Sequence, residues 1–197
     1  LAFVSSAGLA LAMTAFRRDS PRSTEGAVKY FLLGSFAAAL LLYGFALLYG
    51  ATGHTDLVGI AQTVQAGAAD SGLMVMAMAL VFVGLVFKVS AVPFHMWTPD
   101  AYEGAPTPGT TYMAVAVKAG GFAMMLRVLL TVFGDANSMS WSAGWPPVMA
   151  CIAILTMTVA NVIAGRQESV KRMLAYSSIA HAGYLLVGVV ATLRRPE

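Results

Sequence analysis

The sequence predicts an all-α, polytopic transmembrane helix bundle, and three observations support that prediction. Hydrophobic residues make up 58% of the 197 residues and charged residues only 11%, against roughly 25% charged in an ordinary soluble domain. The apolar residues come in long blocks, close to the roughly 20 residues that cross about 30 Å of hydrocarbon. These blocks lack the alternation of barrel strands, and a helix satisfies its backbone polar groups internally. Transmembrane helices are therefore favoured over barrel strands and over a soluble fold.

Six apolar blocks follow one another without a composition shift that would mark a second domain. Residues 1–197 are accordingly predicted to form a single transmembrane domain. Because the chain starts at Leu1 and stops soon after an apolar run, we expect it to be a fragment of a longer protein. The blocks are Leu1–Phe16, Val28–Gly50, Leu73–Val92, Thr110–Phe133, Pro147–Ala164 and Ser169–Leu193.

Basic residues in the loops indicate how the blocks are oriented. The basic loops follow the first and fifth blocks, with Arg17, Arg18, Arg22, Lys29, Arg166, Lys171 and Arg172, whereas loops 51–71 and 134–146 contain no Lys or Arg. The positive-inside rule therefore places the two basic loops in the cytoplasm. Loop 94–109 should face the same side, yet its only charged residues are Asp100 and Glu103, so it does not support the assignment. Trp141 and Trp145, beside the opposite face, are predicted to belong to an interfacial aromatic belt.

Two lysines, Lys88 in the third block and Lys118 in the fourth, stand inside otherwise apolar segments. A lysine at the centre of a membrane helix costs roughly 2.5 to 3.5 kcal/mol on insertion scales, so it should face a partner or a hydrated interior. Desolvation penalises the charged form of an amine, which allows reversible proton exchange near neutral pH. Both lysines are therefore candidate proton carriers; the alternatives are snorkelling to the interface and a fixed ion pair.

Pro93 marks a break at the end of the third block. Proline has no N–H and cannot donate to the carbonyl of Val89, which loosens backbone polar groups about one turn from Lys88. Broken membrane helices usually line a cavity or an ion site. The simpler alternative is a helix that ends at Val92, with Pro93 as the start of a loop.

Three further residues are candidates for the same chemistry. His95 could transfer protons or could only cap the break. His181 follows two hydroxyl residues, Ser177 and Ser178, which could hold a water chain, but it could equally form a helix-to-helix hydrogen bond. Lys29, at the start of the second block, is by default a topology anchor that snorkels to the interface.

Other classes of site find no support in the sequence. No motif resembles a phosphate loop, a nucleophile with its base, or a metal-ligand cluster, and the single Cys151 has no partner. We therefore expect no cofactor and no metal ion bound by this chain, and no nucleic acid partner. The lipid bilayer is the expected surroundings.

The run from Gly84 to Pro108, GLVFKVSAVPFHMWTPDAYEGAPTP, strongly resembles the antiporter-like membrane subunits of respiratory complex I, the proton-translocating NADH:quinone oxidoreductase. Within that family, the detail WTPDAYEGAP is similar to the subunit N branch, called chain 2 in mitochondria, rather than to L and M. Further matches are KYFLLG from Lys29, the fourth block around Lys118, and KRMLAYSSIAH from Lys171. The resemblance covers nearly the whole chain from about Phe16 onward.

The resemblance implies an antiporter-like inverted-repeat fold, in which the six blocks would be helices five to ten. Protons in such subunits pass along a hydrated mid-membrane axis. Lys88 matches the lysine of the broken helix seven, Lys118 that of helix eight, and Lys29 a position near the start of helix six, while His181 matches the histidine of helix ten. The implied partners are the other membrane subunits of complex I in a bacterial inner membrane, with NADH and quinone handled elsewhere and no redox centre on this chain.

One departure from the family pattern concerns the partner of Lys88. The family usually carries a glutamate on helix five that pairs with the helix-seven lysine, and the corresponding position falls near Val4, in a segment without acids. Three functions consequently remain open. The first is proton translocation in complex I, the second is a related cation/proton antiporter or energy-converting hydrogenase subunit, and the third is a structural paralogue that has lost transport.

Overall fold

A computed structural model describes residues 12, 15–16, 19–69, 71–142 and 144–192, and every regular element in these ranges is a helix. The helices are α1 Pro21–Thr52, α2 Leu57–Gln65, α3 Ser71–Lys88, α4 Trp97–Gly104, α5 Thr107–Thr131, α6 Trp145–Ala164 and α7 Val170–Ala191. Five of them, α1, α3, α5, α6 and α7, are long and apolar enough to cross a membrane. The predicted all-α, polytopic fold is confirmed. The first block lies almost wholly outside the described residues, so the six-helix count and the single domain stay predictions.

The long helices lie where the apolar blocks predict them. Several helix ends differ from the ends of the blocks, because local residues such as proline and glycine decide where a helix starts and stops. The first helix begins at Pro21, several residues before the second block, because proline is well suited to the first turn of a helix. It ends where Gly53 adopts a left-handed φ of 72° and donates to the carbonyl of Tyr49 at 2.7 Å. The third helix stops at Lys88, about one turn before the predicted end at Val92.

The segment 94–109 was predicted to be a loop, and that prediction was wrong for α4. This eight-residue helix has a mixed composition and forms no long apolar block, so the block pattern does not predict it. Pro99 is compatible with the helix, because proline is tolerated in the first turn. This helix packs against α1 and α7. A Cβ on Gly26 would lie 2.6 Å from the carbonyl oxygen of Asp100, and one on Gly104 would lie 2.9 Å from that of Arg22. Small residues on both helices thus let α1 and α4 touch backbone to backbone.

An apolar core joins the five long helices. Its buried side chains come from all five helices and from the segments beside them, for example Leu41, Leu85, Met125, Met149 and Leu186. Trp145 is part of this core, and its indole N–H donates to the carbonyl of Phe133 at 3.1 Å. Trp145 therefore packs inside the bundle at the start of α6, and its place in an interfacial belt stays a prediction.

Candidate functional site

Lys118 is buried between α5 and α7, and neutral oxygens hold its ammonium group. Only 7% of the residue is exposed. Its Nζ donates to the carbonyl oxygen of Ser178 at 2.9 Å and to the Ser178 hydroxyl at 2.8 Å. Lys118 immediately follows a π-helical turn, Met113–Val117, and such turns often occur at functional sites because they rotate the following residues. Snorkelling and a fixed ion pair are the two alternatives to a proton carrier. Within the described ranges Lys118 forms no ion pair, so the structure does not support the second alternative for this lysine.

A groove of about 520 Å³ opens between α5 and α7, and Lys118, Ser178 and His181 all line it. His181 is exposed, and its Nδ1 lies 2.8 Å from the carbonyl oxygen of Ser177, one helical turn earlier. Its ring also meets the edge of Tyr184 with centroids 5.5 Å apart. The structure thus brings two of the predicted residues, Lys118 and His181, to one surface, with the Ser178 hydroxyl beside them.

Lys88 is the last residue of α3 and is 4% exposed, deep at the point where the helix breaks. Its side chain runs past α5, because a Cβ on Gly121 would lie 3.4 Å from Lys88 Cγ and 3.3 Å from Val89 Cγ1. Gly121 is one turn along α5 from Lys118. The stems of the two lysines therefore meet the same stretch of α5.

The break between α3 and α4 occupies residues 89–96 and has its own hydrogen bonds. Ser90 adopts a left-handed φ of 64°, which is uncommon for a residue other than glycine, and the turn is closed by Ala91 N–H donating to the carbonyl of Val86 at 3.1 Å. The N–H of Val92 donates to Thr156 Oγ1 of α6 at 3.0 Å, and Trp97 Nε1 donates to the carbonyl of Phe87 at 3.3 Å. Side chains of other elements thus satisfy backbone groups that the break frees.

Substituting Thr156→Val should weaken the break. The buried N–H of Val92 would lose its acceptor, which costs about 1 to 3 kcal/mol when nothing replaces it. Thermal unfolding of the purified protein in detergent measures the loss. Thr158→Val is the matched control, because Thr158 also donates to the carbonyl four residues earlier but is exposed and receives no hydrogen bond from the break. Equal unfolding temperatures for the two variants would contradict the assignment.

His95 and Pro93 both lie within the break. Pro93 is exposed and follows the end of α3 rather than interrupting that helix. His95 is half-buried, and its ring faces the edge of Tyr176 in α7 with centroids 6.5 Å apart. The predicted break near Pro93 is present as the segment 89–96 between α3 and α4, and Pro93 lies inside that segment. A functional role for Pro93 or His95 stays a prediction.

Lys29 belongs to a separate cluster of charges where α1, α4 and α7 meet. Its Nζ lies 2.6 Å from Glu25 Oε1 and 2.7 Å from Asp100 Oδ2. Arg172 of α7 contacts the other oxygen of Asp100 at 2.5 Å and Glu103 Oε2 at 3.1 Å. These side chains, with Arg22, line a polar cavity of about 290 Å³. Lys29 is thus more than an anchor that snorkels, since it pairs with an acid of its own helix and with Asp100 of α4.

The charge cluster accounts for the two acids of segment 94–109. These acids, Asp100 and Glu103, pair with Lys29 and Arg172, which flank the two basic loops. The segment therefore lies on the same side as those loops, as the alternation of helices required. Burial alone would raise the pKa of Asp100, but hydrogen bonds from Lys29 and Arg172 outweigh it and hold the pKa below its ordinary value of 3.8.

The start of α7 secures the end of α4. Lys171 Nζ donates to the carbonyl oxygens of Glu103 and Ala105, which lie at the C-terminal end of α4 where carbonyls lack helical partners. Arg172 holds the acidic side chains of the same helix. Two adjacent basic residues therefore fix α4 through both its backbone and its side chains.

Several residues of the site were not identified from the sequence. Asp100 and Tyr102 stand in a polar stretch where an acid or a tyrosine is ordinary, and Thr156 is one of two threonines in an apolar block, with nothing in the sequence to set it apart from Thr158. Asp100 and Tyr102 both lie in the motif WTPDAYEGAP, which carries the family resemblance, and that resemblance could have identified the two residues. The position near Val4, where the family usually carries a glutamate and this sequence has no acid, lies outside the described residues. Among the described residues, no group of three or more His, Cys, Asp or Glu is placed to hold a metal ion.

The chain matches known proteins over most of its length. The family model described as NADH:quinone oxidoreductase/Mrp antiporter, TM, matches residues 3–194. A protein of Sorangium cellulosum named NADH-quinone oxidoreductase subunit N 1 is 71% identical over 95% of this chain. The match covers 38% of that protein, so this chain spans less than two fifths of its relative's length.

Two solved structures extend the comparison to the fold. A chain of respiratory complex I from Thermus thermophilus superposes with a TM-score of 0.76 at 40% identity, over 98% of this chain and 40% of that one. A chain of an archaeal membrane-bound sulfane sulfur reductase superposes with a TM-score of 0.86 at 31% identity, over 95% of this chain and 37% of that one. The resemblance drawn from the sequence motifs is confirmed.

Proposed function

The chain belongs to the NADH:quinone oxidoreductase/Mrp antiporter transmembrane family, and from that premise we propose that it is part of a subunit N that translocates protons in complex I. Lys118, a buried amine held only by neutral oxygens and a ring in the described structure, is the observation that supports this proposal most strongly. An amine in such surroundings can gain and lose a proton without breaking an ion pair.

The proposed path connects the residues already described. Lys88 is the switching group at the break, Lys118 is its neighbour along α5, and Ser178 with His181 leads along the groove between α5 and α7. Lys29 and His95 are further members. Water in the groove would carry protons between groups that do not touch directly, since the groove is large enough for several water molecules.

The rest of the assembly is part of the same proposal. The chain would work with the other membrane subunits of the complex in the inner membrane of a bacterium, surrounded by lipid. We place NADH oxidation and quinone reduction in other subunits, so the chain itself would bind no cofactor and hold no redox centre. Energy must then reach the lysines by coupling between distant sites.

Lys88→Ala in the complete complex tests the proposal. We expect NADH-driven proton uptake into proteoliposomes to fall at least tenfold, since the group at the break could no longer bind and release a proton. Quinone reduction without coupling should persist in detergent, which distinguishes lost pumping from lost assembly. Wild-type proton uptake by a fully assembled Lys88→Ala complex would remove Lys88 from the path.

A second candidate function is supported by the superposition on the sulfane sulfur reductase chain, whose TM-score exceeds that of the complex I chain. Under this alternative the subunit would serve a different membrane complex and could exchange a cation for protons. The high identity to a subunit N favours the first candidate. Proton uptake measured with and without Na⁺ separates the two, because only an exchanger would depend on Na⁺. A subunit without transport would show no change in uptake for any lysine variant.

A further inference from the structure

Tyr102 lies directly beside Lys118, although its function is not part of the path described above. It is 2% exposed and belongs to α4. Lys118 Nζ lies over its ring, 5.9 Å from the ring centroid. This distance is within the roughly 6 Å at which a cation is attracted by the negative face of an aromatic ring.

The groups in direct contact with the ammonium of Lys118 share one property, which is that none carries a charge in the described structure. They are the carbonyl and hydroxyl oxygens of Ser178 and the ring of Tyr102. Two titratable side chains lie further off: His181 of α7 lines the same groove, and the stem of Lys88 meets the same stretch of α5. A carboxylate in contact with a buried lysine would hold it firmly in the charged form. Neutral oxygens and a ring face stabilise the ammonium more weakly, so the charged and neutral forms stay close in free energy. The ring therefore contributes to how readily Lys118 releases its proton.

The ring of Tyr102 is held in place from several directions. Its backbone carbonyl accepts from Thr110 Oγ1 at 2.9 Å, and its ring meets the edge of Trp97 with centroids 6.3 Å apart. The helix that carries it is fixed through Asp100 to α1 and α7. A side chain restrained in this way can act on Lys118 without first being ordered.

We propose that Tyr102 is a positioning residue for proton exchange at Lys118, and that the face of its ring stabilises the ammonium form. This inference rests on the proposed function, because it assigns Tyr102 a role only if Lys118 carries protons. The proposal assigns the effect to the ring, and Tyr102→Phe tests separately the hydroxyl, which lies near Ser178. Tyr102 also connects the break to Lys118, because it belongs to α4, the helix that begins directly after the break.

The experiment varies the charge distribution of the ring with little change in its shape. The complete complex is prepared with Tyr102→Phe and with mono-, di- and trifluorinated phenylalanine at the same position, because fluorine withdraws electrons from the ring face. NADH-driven proton uptake into proteoliposomes is then measured as a function of pH. The same series at Tyr30 is the control, since both tyrosines are buried in one apolar cluster and contact Trp97, whereas in the described structure Lys118 Nζ lies over the ring of Tyr102 and not over that of Tyr30.

We expect Tyr102→Phe to retain the wild-type pH profile, because the ring remains. Each added fluorine should move the alkaline limb of the profile to lower pH, by about half to one unit for the full series. The direction follows because a weaker ring face favours the neutral amine, so Lys118 would take up its proton only at higher proton concentration. The Tyr30 series should not shift.

Three results would overturn the inference. The first is an unchanged profile across the Tyr102 series in a complex that Lys118→Ala inactivates, which leaves the proposed function intact. The second is failure of Tyr102→Phe to assemble or to transport, which would make the hydroxyl the essential group. The third is normal transport by Lys118→Ala itself, which would reject the role of Lys118 and with it both proposals.

Discussion

Lys118→Ala should abolish proton uptake by the complete complex, with a reduction of at least a hundredfold. Under the proposed function the buried amine of Lys118 takes up and releases the proton at this point, and alanine has no titratable atom. The Ser178 hydroxyl and carbonyl would also lose their donor. Uptake into proteoliposomes driven by NADH measures the effect, with electron transfer in detergent as the test of assembly.

Two further variants show whether titration or charge is needed. Lys118→Met keeps a long apolar stem without a charge, and Lys118→Arg keeps the charge but does not release it at physiological pH. If proton exchange is the function, both should fail as alanine does. Restoration of transport by arginine would instead indicate that a fixed charge is sufficient. Arg127→Ala is the control, because Arg127 is an exposed basic residue of the same helix, and it should retain normal transport.

The long helices and the lysines could be predicted from the sequence because each departs from its surroundings. A block of about 20 apolar residues indicates a membrane helix whatever its neighbours are. Lys88 and Lys118 were conspicuous because a charge inside such a block needs a particular explanation. These inferences depend on local composition, which a single sequence displays directly.

The partners of the lysines could not be predicted in the same way, because they come from distant parts of the chain. Lys118 meets Ser178 sixty positions later, and Lys29 meets Asp100 across 71 positions. Such contacts depend on how the helices are arranged, and composition does not report arrangement. The helix α4 was missed for a related reason, since its stability comes from packing against α1 and α7 rather than from its own eight residues.

The break between α3 and α4 depends both on the local sequence and on contacts with distant residues. Pro93 indicated that the helix could not continue, and the structure has a break there. The helix nevertheless ends one turn earlier, at Lys88, where Ser90 takes a left-handed conformation and Thr156 supplies an acceptor from α6. The position of the end is thus decided by contacts with another helix as well as by proline.

Asp100→Asn should destabilise the protein more than Glu103→Gln, the corresponding change three residues later in α4. The asparagine cannot form an ion pair with Lys29 or Arg172, and hydrogen bonds to charged groups contribute about 1.5 to 3 kcal/mol each when they are shielded from water. Lys29 is exposed and its pair is screened by water, so we expect a loss of about 1 kcal/mol that comes mainly from the pair with the less exposed Arg172. Thermal unfolding in detergent at low salt gives the value. Glu103→Gln is the matched control, because Glu103 pairs with Arg172 alone.

The pH dependence of the stability difference between the wild type and Asp100→Asn distinguishes the loss of ion pairs from a disturbance in the packing of α4. Because the pKa of Asp100 lies below 3.8 in the folded state, its contribution is complete above about pH 4 and decreases as the pH falls through the folded value. The difference in stability between the wild type and Asp100→Asn should therefore be constant from about pH 5 to 7 and shrink on acidification below about pH 4. A difference that persists unchanged at pH 3 would mean that the asparagine disturbs the packing of α4 and that the charge of Asp100 contributes little.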